Sequence, residues 1–485
     1  MKGDVAFLPA GRLAAMIHRR EVGCLELLEH YLARVERFNP ALNAIVVTDV
    51  PGARERARAA DRALAAGEAW GPLHGVPMTV KDAFDVKGLP TTFGVPALKD
   101  NIARGNALAV ERWLAAGAVI FGKTNVPLWL ADAQTFNAIY GTTNNPWNPA
   151  LTPGGSSGGG SAALAAGLTG IEMGSDIASS IRNPAALCGV FGHKPTYGIC
   201  PPRGHAQRAE DVAPLDILCI GPLGRSAEDV ALGLRIMAGP DAIAERGLRL
   251  ALPAPAKKRL RDFKVGIIID DPFAPVERDM VEQLQRLADF LAQQGAQVSD
   301  KARPDIDLDH ASRTFDLLLR SATSAGLSDD EQAQFRQRLA ALPPDADTKL
   351  ARMLRGNTLS HRDWLRLDEA RQRMRWKWHE FFGAHDLLLG PVICTAAYPH
   401  DHTPPYERVV NVNGEPRAFH SLLFWAGYTG MAYLPSTVAP IGFTRDGRPV
   451  GVQIAGPEFG DRSCLHFARL LEKEYQGFVP PPGFE

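Results

Sequence analysis

Residues 152–167 read TPGGSSGGGSAALAAG, a cluster of glycine and serine that runs directly into an alanine-rich stretch. A flexible tether rarely continues into SAALAAGL, which is typical of the first turns of a buried helix. Glycine tolerates positive φ and lets other groups approach the backbone, so a serine among glycines can be held in a conformation that ordinary chains avoid. The stretch is therefore a candidate frame for a reactive serine.

The same glycine cluster also contains a G-x-S-x-G pattern at residues 154–158. In the nucleophile elbow of α/β-hydrolases, that pattern needs a strand just before the serine and a helix just after it. The helix is predicted here, but the preceding segment carries Pro146, Pro149 and Pro153. A segment that lacks so many backbone donors is a poor central strand, which disfavours the elbow.

A second glycine pattern, GAVIFGKT at 117–124, matches the phosphate-loop expression G-x-x-x-x-G-K-[ST]. A phosphate loop needs a bare backbone between its glycines and a helix after its lysine, whereas AVIF is typical of a strand and Pro127 interrupts a following helix. We therefore expect Lys123 and Thr124 to be ordinary residues at a strand end. An ATP-binding protein remains the alternative from another functional class.

The composition predicts a large globular protein, with 45% hydrophobic and 22% charged residues in a chain of 485. Lysine and arginine number 53 against 54 acidic residues, so the net charge of -1 predicts no overall attraction to nucleic acid or to anionic membranes. The N-terminus lacks the apolar core of a signal peptide, and no apolar run is long enough to span a bilayer. We expect a cytoplasmic protein.

Cysteine and histidine usage gives no sign of a metal site. The six cysteines are scattered without a C-x-x-C pair, which favours reduced thiols over a disulfide frame. The 13 histidines include no H-E-x-x-H motif, and we expect His400 and His402 to lie in a solvated loop. The sequence thus predicts neither a metal nor another cofactor.

Apolar periodicity predicts alternating helices and strands along the chain. Helices are expected at 25–38, ended by Asn39-Pro40, and at 52–66 and 107–116; strands are expected at 76–80, 118–122, 170–174, 264–270, 386–393 and 449–456, the last paired with 433–442. We predict an α/β fold with a large mixed, mostly parallel central sheet covered by helices on both faces. Residues 1–485 are expected to form one domain, with a helix-rich elaboration at about 305–383, broken at Pro343-Pro344, as a candidate cap over the active site.

Several segments together resemble the amidase signature family over nearly the whole chain. They are GVPMTVKD at 75–82, GKTNVP at 122–127, YGTTNNPWNPALTPGGSSGG at 140–159, GSDIASSIRNPAALCGVFGHKPT at 174–196, GPLGRSAEDVAL at 221–232 and PVGVQIAGPEFGDRS at 449–463. The spacing agrees with the family's Ser-cisSer-Lys triad, with 75 residues from Lys81 to Ser156 and 24 from Ser156 to Ser180. The fold implied is the amidase signature fold.

The resemblance implies that Ser180 is the nucleophile, that Ser156 is a bridging serine after a cis bond from Gly155, and that Lys81 is the base. A lysine can act as a base only when it is neutral, which requires its pKa to fall from about 10.4 to about 7 or 8. Lys81 ends an apolar strand, where burial provides the desolvation that this shift needs.

The resemblance also implies an oxyanion hole and a substrate pocket. The hole would consist of backbone N–H groups after the strand at 170–174, those of Ile177, Ala178, Ser179 and Ser180. The family more often has Gly-Gly where this chain has Ala178-Ser179, so the added Cβ atoms are expected to narrow the site. An apolar pocket is expected at Leu130, Ala131 and Ala133, and Asp176 and Arg182 are expected to pair as a scaffold beneath the nucleophile turn.

The predicted function is hydrolysis of a carbon–nitrogen amide bond through a serine acyl-enzyme, with esters and carbamates (urethanes) as further candidate substrates. The expected partner is a small molecule, with no nucleic acid and no membrane, and the protein is expected to be a monomer or homodimer. The alternative within the same family is the amidase subunit of a tRNA-dependent amidotransferase, which works with a second subunit.

Overall fold

The computed structural model describes residues 5–205 and 213–485. Its strands are β1 (Ile45–Thr48), β2 (Pro77–Lys81), β3 (Val119–Thr124), β4 (Phe136–Asn137), β5 (Gly141–Thr142), β6 (Glu172–Asp176), β7 (Phe191–Lys194), β8 (Cys219–Gly224), β9 (Lys264–Ile267), β10 (Gln297–Ser299), β11 (Leu387–Pro391), β12 (Val409–Val412), β13 (Glu415–Ala418), β14 (Ser436–Phe443) and β15 (Pro449–Ala455). Its α-helices are α1 (Ala10–His18), α2 (Cys24–Leu42), α3 (Val50–Ala65), α4 (Leu108–Ala115), α5 (Gly158–Ala165), α6 (Arg182–Cys188), α7 (Ala227–Met237), α8 (Arg278–Gln293), α9 (Leu308–Thr323), α10 (Asp329–Ala340), α11 (Lys349–Asn357), α12 (His361–Ala384), α13 (Phe424–Gly430) and α14 (Asp461–Glu474).

The largest sheet has eight strands in the order β10-β9-β11-β15-β14-β7-β8-β6. Parallel ladders join β10 to β9 and β9 to β11, and the remaining neighbours pair antiparallel. The predicted mixed α/β sheet is confirmed, but parallel pairings are the smaller share among the described strands. One antiparallel ladder has a local cause: β14 turns directly back into β15, and a short connection of this kind can only join antiparallel strands.

Two groups of helices cover this sheet. Helices α7 and α14 pack on each other, with α7 against β8 and α14 against β14, while α6 and α8 contact β14 and β15. The apolar residues of these elements form a continuous buried cluster that includes Val230 of α7, Leu284 of α8 and Phe467 of α14. Helices with one apolar stripe each are thereby held against the sheet.

A smaller three-stranded sheet, in the order β1-β3-β2, carries Lys81 at the end of β2. The strand predicted within GAVIFGKT is confirmed: β3 runs from Val119 to Thr124 and pairs parallel with β2 and antiparallel with β1. Lys123 is fully buried and forms an ion pair of 2.8 Å with Asp82. The segment therefore has neither the bare backbone nor the following helix of a phosphate loop.

The predicted end of α2 at Asn39-Pro40 was wrong, because the helix continues through Pro40 to Leu42. Proline in the last turn removes only a final intrahelical hydrogen bond, which costs less than in a helix interior. The helix ends where Asn43 adopts a left-handed conformation, and the side-chain oxygen of Asn39 accepts hydrogen bonds from the N–H groups of Ala44 and Ile45. The side chain of Asn39 thus organises the helix end.

The region at 305–383 is helix-rich, as predicted, and Pro343-Pro344 separates α10 from α11. Helix α9 packs on α11, α12 and α13, and the ring of Phe315 lies against Gly427 of α13. The six cysteines are buried and free. No helix within residues 5–205 and 213–485 combines the length and apolar character needed to cross a bilayer.

Candidate active site

The glycine and serine cluster forms a loop that leads into the buried helix α5, with Ser156 and Ser157 just before the helix. Residues 152–157 contain no strand, so the elbow interpretation lacks its required element. The Gly155–Ser156 peptide bond is cis, as the family resemblance implied. A Cβ at Gly155 would lie only 2.7 Å from the carbonyl oxygen of Asp132, so this position requires glycine.

The Lys81 amine lies among serine oxygens with no exposure to solvent. It donates hydrogen bonds to the hydroxyl groups of Ser156 at 2.7 Å, Ser157 at 2.9 Å and Ser175 at 3.1 Å. Burial lowers the pKa of Lys81 to about 7, against the opposing charges of Asp176 and Glu172. The amine therefore loses its proton far more readily than an exposed lysine does.

Ser180 lies in the turn between β6 and α6, with 7% of its surface exposed. Its carbonyl oxygen accepts a hydrogen bond of 3.0 Å from the N–H of Ser157. Asn183, in the first turn of α6, donates to the carbonyl oxygen of Gly155 at 3.4 Å. These bonds join the Ser180 turn directly to the cis-peptide loop.

Asp176 and Arg182 pair beneath the Ser180 turn, as predicted, and both side chains are fully buried. The guanidinium donates to both carboxylate oxygens at 2.9 Å, and the carboxylate also accepts from the N–H of Ile181 at 3.2 Å. Arg182 further donates to the carbonyl oxygen of Ala426 at 2.6 Å and to Gln453 at 2.7 Å. Burial opposes ionisation of Asp176, but the Arg182 charge outweighs it and the pKa lies below its ordinary value.

The turn above this ion pair contains backbone donors without acceptors. Within the described chain, the N–H groups of Ile177, Ala178, Ser179 and Ser180 donate to no protein oxygen, whereas the next N–H, that of Ile181, is held by Asp176. Ala178 and Ser179 are both buried. Successive unpaired N–H groups in one tight turn can bind a negatively charged oxygen.

The three residues expected to form the pocket lie along one segment but in different surroundings. Leu130 packs with Phe93 and Val95, and Ala133 is buried in a separate apolar cluster, where its carbonyl oxygen accepts from the Tyr398 hydroxyl at 3.0 Å. Ala131 is exposed. The structure therefore does not bring these three side chains into one cluster.

Two buried ionisable residues near Lys81 were missed by the sequence analysis. Burial raises the pKa of Glu172 to about 8, and its carboxylate accepts hydrogen bonds from the Thr79 hydroxyl and the Met173 N–H. His205 packs edge-on against Phe84, and burial, aided by the Lys81 charge, lowers its pKa to about 3. An acidic residue within the otherwise apolar strand predicted at 170–174 was the sequence signal that could have identified Glu172.

Metal-ligating side chains do not converge anywhere in residues 5–205 and 213–485, where no group of three or more His, Cys, Asp or Glu could hold an ion. His400 and His402 have ring centres 6.2 Å apart, and a nitrogen of His402 lies 3.2 Å from the Thr142 hydroxyl. A buried amine among hydroxyl groups, as Lys81 is beside Ser156, is suited to proton transfer.

Comparisons with known proteins show what this chain is similar to. A family model described as Amidase matches residues 26–465. An acylamidase of Rhodococcus erythropolis is 35% identical over 475 residues, covering 97% of this chain and 96% of that protein. A glutamyl-tRNA(Gln) amidotransferase subunit of Roseiflexus castenholzii is 31% identical over 485 residues, covering 96% of this chain and 95% of that protein. Among solved structures, a bacterial aryl acylamidase of the amidase signature family superposes with a TM-score of 0.81 at 25% identity, covering 96% of each chain.

Proposed function

The chain belongs to the amidase signature family, and from that premise we propose that it hydrolyses small-molecule amides through an acyl-enzyme formed on Ser180. The observation that carries the proposal is the buried Lys81 amine, 2.7 Å from the Ser156 hydroxyl. A lysine enclosed among serine hydroxyl groups, with a pKa of about 7, is suited to act as a base.

In the proposed reaction, the Ser180 hydroxyl attacks the substrate carbonyl while its proton passes through Ser156 to neutral Lys81. The unpaired N–H groups of the Ser180 turn would stabilise the negative oxygen that develops. The proton then returns through Ser156 to the leaving nitrogen as the carbon–nitrogen bond breaks. Water attacks the acyl-enzyme by the same relay and releases the acid.

The same attack applies to esters and carbamates, because each presents a carbonyl carbon bonded to a leaving oxygen or nitrogen. A carbamate gives a carbamoyl-enzyme on Ser180 in place of an acyl-enzyme. We propose that the segment containing Leu130, Ala131 and Ala133 contacts the acyl part of the substrate. Support comes from its position: the carbonyl oxygen of Asp132 packs against Gly155 beside the cis bond.

We further propose that the helix-rich region at 305–383 belongs to the same domain and covers the site. Helix α9 of this region packs on α13, and the Ala426 carbonyl oxygen of α13 accepts a hydrogen bond from Arg182. Arg182 in turn holds the carboxylate beneath the Ser180 turn. The region is thus connected to the nucleophile through two layers of contact.

A second candidate is the amidotransferase function, which the 31% identity to a protein of that kind favours. That function requires a partner protein that receives ammonia. Expression with an affinity tag, followed by size measurement of the purified protein, distinguishes the two candidate functions. A free amidase is active alone as a monomer or homodimer. Activity that appears only with a copurified second protein would favour the amidotransferase.

The proposed function is tested with a panel of aryl amides, aliphatic amides, esters and carbamates. Ser180→Ala should abolish turnover of every substrate that the wild type hydrolyses, and a fluorophosphonate should label the wild type at Ser180. Ser161→Ala, which changes a buried serine of α5 outside the proposed relay, is the matched control and should stay active. Labelling at Ser156 or Ser157 would contradict the assignment.

A further inference from the structure

A buried ion pair that takes no part in the proposed reaction joins two distant parts of the chain. Asp132, ahead of β4, pairs with Arg408, just before β12, although the two residues are 276 positions apart in the sequence. One guanidinium nitrogen donates to both carboxylate oxygens, at 2.8 and 2.7 Å, and the side chains of Arg408 and Asp132 are only 2% and 8% exposed. The guanidinium also lies over the rings of Phe136 and Phe419, 5.6 and 4.9 Å from their centres. These contacts fix Arg408 beside Asp132.

Two neighbours of Asp132 are bonded to the same distant part of the chain. The Gln134 side chain donates to the carbonyl oxygen of Asp401 at 2.7 Å and accepts from the Asp401 N–H at 3.0 Å. The Tyr398 hydroxyl donates to the carbonyl oxygen of Ala133 at 3.0 Å. Residues 132–135, which we call the backing segment, are thus held by residues 398–408.

The backing segment also packs on the cis-peptide loop. A Cβ added at Gly155 would lie 2.7 Å from the carbonyl oxygen of Asp132 and 2.3 Å from that of Gln134. These distances leave no room for a side chain, so the backbone of the segment and the backbone of Gly155 are in direct contact.

Hydrogen bonds fasten this contact. The Thr135 hydroxyl donates to the carbonyl oxygen of Gly154 at 2.8 Å. The Asn183 amide donates both to the backing segment, at 3.3 Å, and to the carbonyl oxygen of Gly155, at 3.4 Å. The next peptide bond is the cis bond to Ser156. A displacement of the backing segment would therefore move Ser156.

Resting on the proposed function, we propose that Asp132 and Arg408 are positioning residues for Ser156. Their ion pair fixes the backing segment against the cis-peptide loop, and the loop holds the Ser156 hydroxyl 2.7 Å from the Lys81 amine. Desolvation of a buried pair offsets much of the attraction between its charges, so the pair contributes a fixed geometry more than stability. A proton relay depends on that geometry, because a hydrogen bond weakens steeply when its atoms separate or misalign.

The test measures kcat, KM and the rate of fluorophosphonate labelling at Ser180 in Asp132→Asn, Arg408→Gln and the double variant. The final extent of labelling counts the competent sites, and kcat is expressed per site. Each single variant should lower kcat and the labelling rate about tenfold, with KM within about twofold of the wild type. The double variant should be no slower than the slower single variant, because the two residues act as one unit.

Arg352→Gln is the matched control. The Arg352 side chain is 12% exposed and pairs with Asp347 at 2.7 and 3.0 Å, but within the described residues it has no hydrogen bond to the backing segment or to residues 154–157. This variant should keep the wild-type kcat and labelling rate per site. Thr135→Val keeps the ion pair and removes only the hydrogen bond to Gly154, so it tests the same path at a smaller cost in stability. Its kcat should fall about threefold.

Wild-type rates per site in folded Asp132→Asn and Arg408→Gln proteins would overturn the inference, because the pair would then stabilise the fold without positioning Ser156. An unchanged kcat in Thr135→Val would do the same. Losses that multiply in the double variant would also overturn it, since the two residues would then act independently. A wild type that is not labelled at Ser180 would instead reject the proposed function, which keeps the two failures distinguishable.

Discussion

The Lys81 amine and the Ser156 hydroxyl lie 2.7 Å apart in a region that solvent does not reach. Two further serine hydroxyl groups, those of Ser157 and Ser175, also surround the amine. Hydroxyl groups can both donate and accept, so this shell can hold either the ammonium or the neutral amine without an unpaired group. Such a shell suits a residue that must take up and release a proton in each reaction cycle.

The acid limb of the rate profile should report Lys81. Because burial lowers its pKa to about 7, kcat/KM should fall roughly tenfold per pH unit below about pH 7 and reach a plateau above it. The rate falls at low pH because protonation of Lys81 removes the lone pair that accepts the proton from Ser156. Initial rates with an uncharged substrate between pH 5 and pH 9 provide the measurement, and a rate that stays constant down to pH 5 would disagree.

The midpoint should not belong to a histidine, although an ordinary histidine titrates close to this range. His205 is the histidine whose pKa the Lys81 charge affects, and burial holds that pKa at about 3. His205→Asn should therefore leave the midpoint of the acid limb in place, whatever it does to KM. Loss of the acid limb in this variant would show that the limb reports the titration of His205.

Gly159→Ala should destabilise the protein by about 1 to 3 kcal/mol through overpacking. Gly159 lies in α5, where an added Cβ would sit 2.6 Å from the carbonyl oxygen of Asn125 and 2.8 Å from that of Ala44. Gly383 is the matched control, since it also lies in a helix but has nothing within 4 Å of an added Cβ. Urea unfolding should show Gly383→Ala unchanged or more stable by up to about 1 kcal/mol.

Arg182→Ala should lower the free energy of unfolding by about 3 to 5 kcal/mol, because it leaves the Asp176 carboxylate buried without its partner. Activity should fall with it, since Asp176 would no longer be fixed beneath the Ser180 turn. Arg373→Ala removes a solvent-exposed ion pair to Glu369 and should change stability by less than about 1 kcal/mol. Equal stability of the two variants in chemical denaturation would show that the buried pair is not a scaffold.

Local patterns in the sequence were enough to predict the elements that position the site. The strand ending at Lys81, the hairpin formed by β14 and β15, the helix after Ser157 and the Asp176–Arg182 pair were all predicted, because each depends on neighbours close in sequence or on the family motifs. The cis bond before Ser156 followed from the resemblance alone.

Some features depend on contacts that residue propensities and apolar periodicity do not reveal. The hydrogen bonds of Asn39 let α2 continue past Pro40, which a propensity argument treats as a stop. Antiparallel ladders outnumber parallel ones in the large sheet because strand order is set by long-range pairing. Glu172 could be recognised as a neighbour of Lys81 only after β2 and β6 were packed together.

The central claim is that Lys81 acts as the base of a serine amidase, and substitution by arginine tests it most directly. Arginine preserves the positive charge but stays protonated, so it cannot accept a proton from Ser156. Lys81→Arg and Lys81→Ala, compared in purified form with native circular dichroism spectra, should lose kcat/KM to the same extent, by at least about 100-fold. Substantial amide hydrolysis by folded Lys81→Arg protein would contradict the lysine-base mechanism.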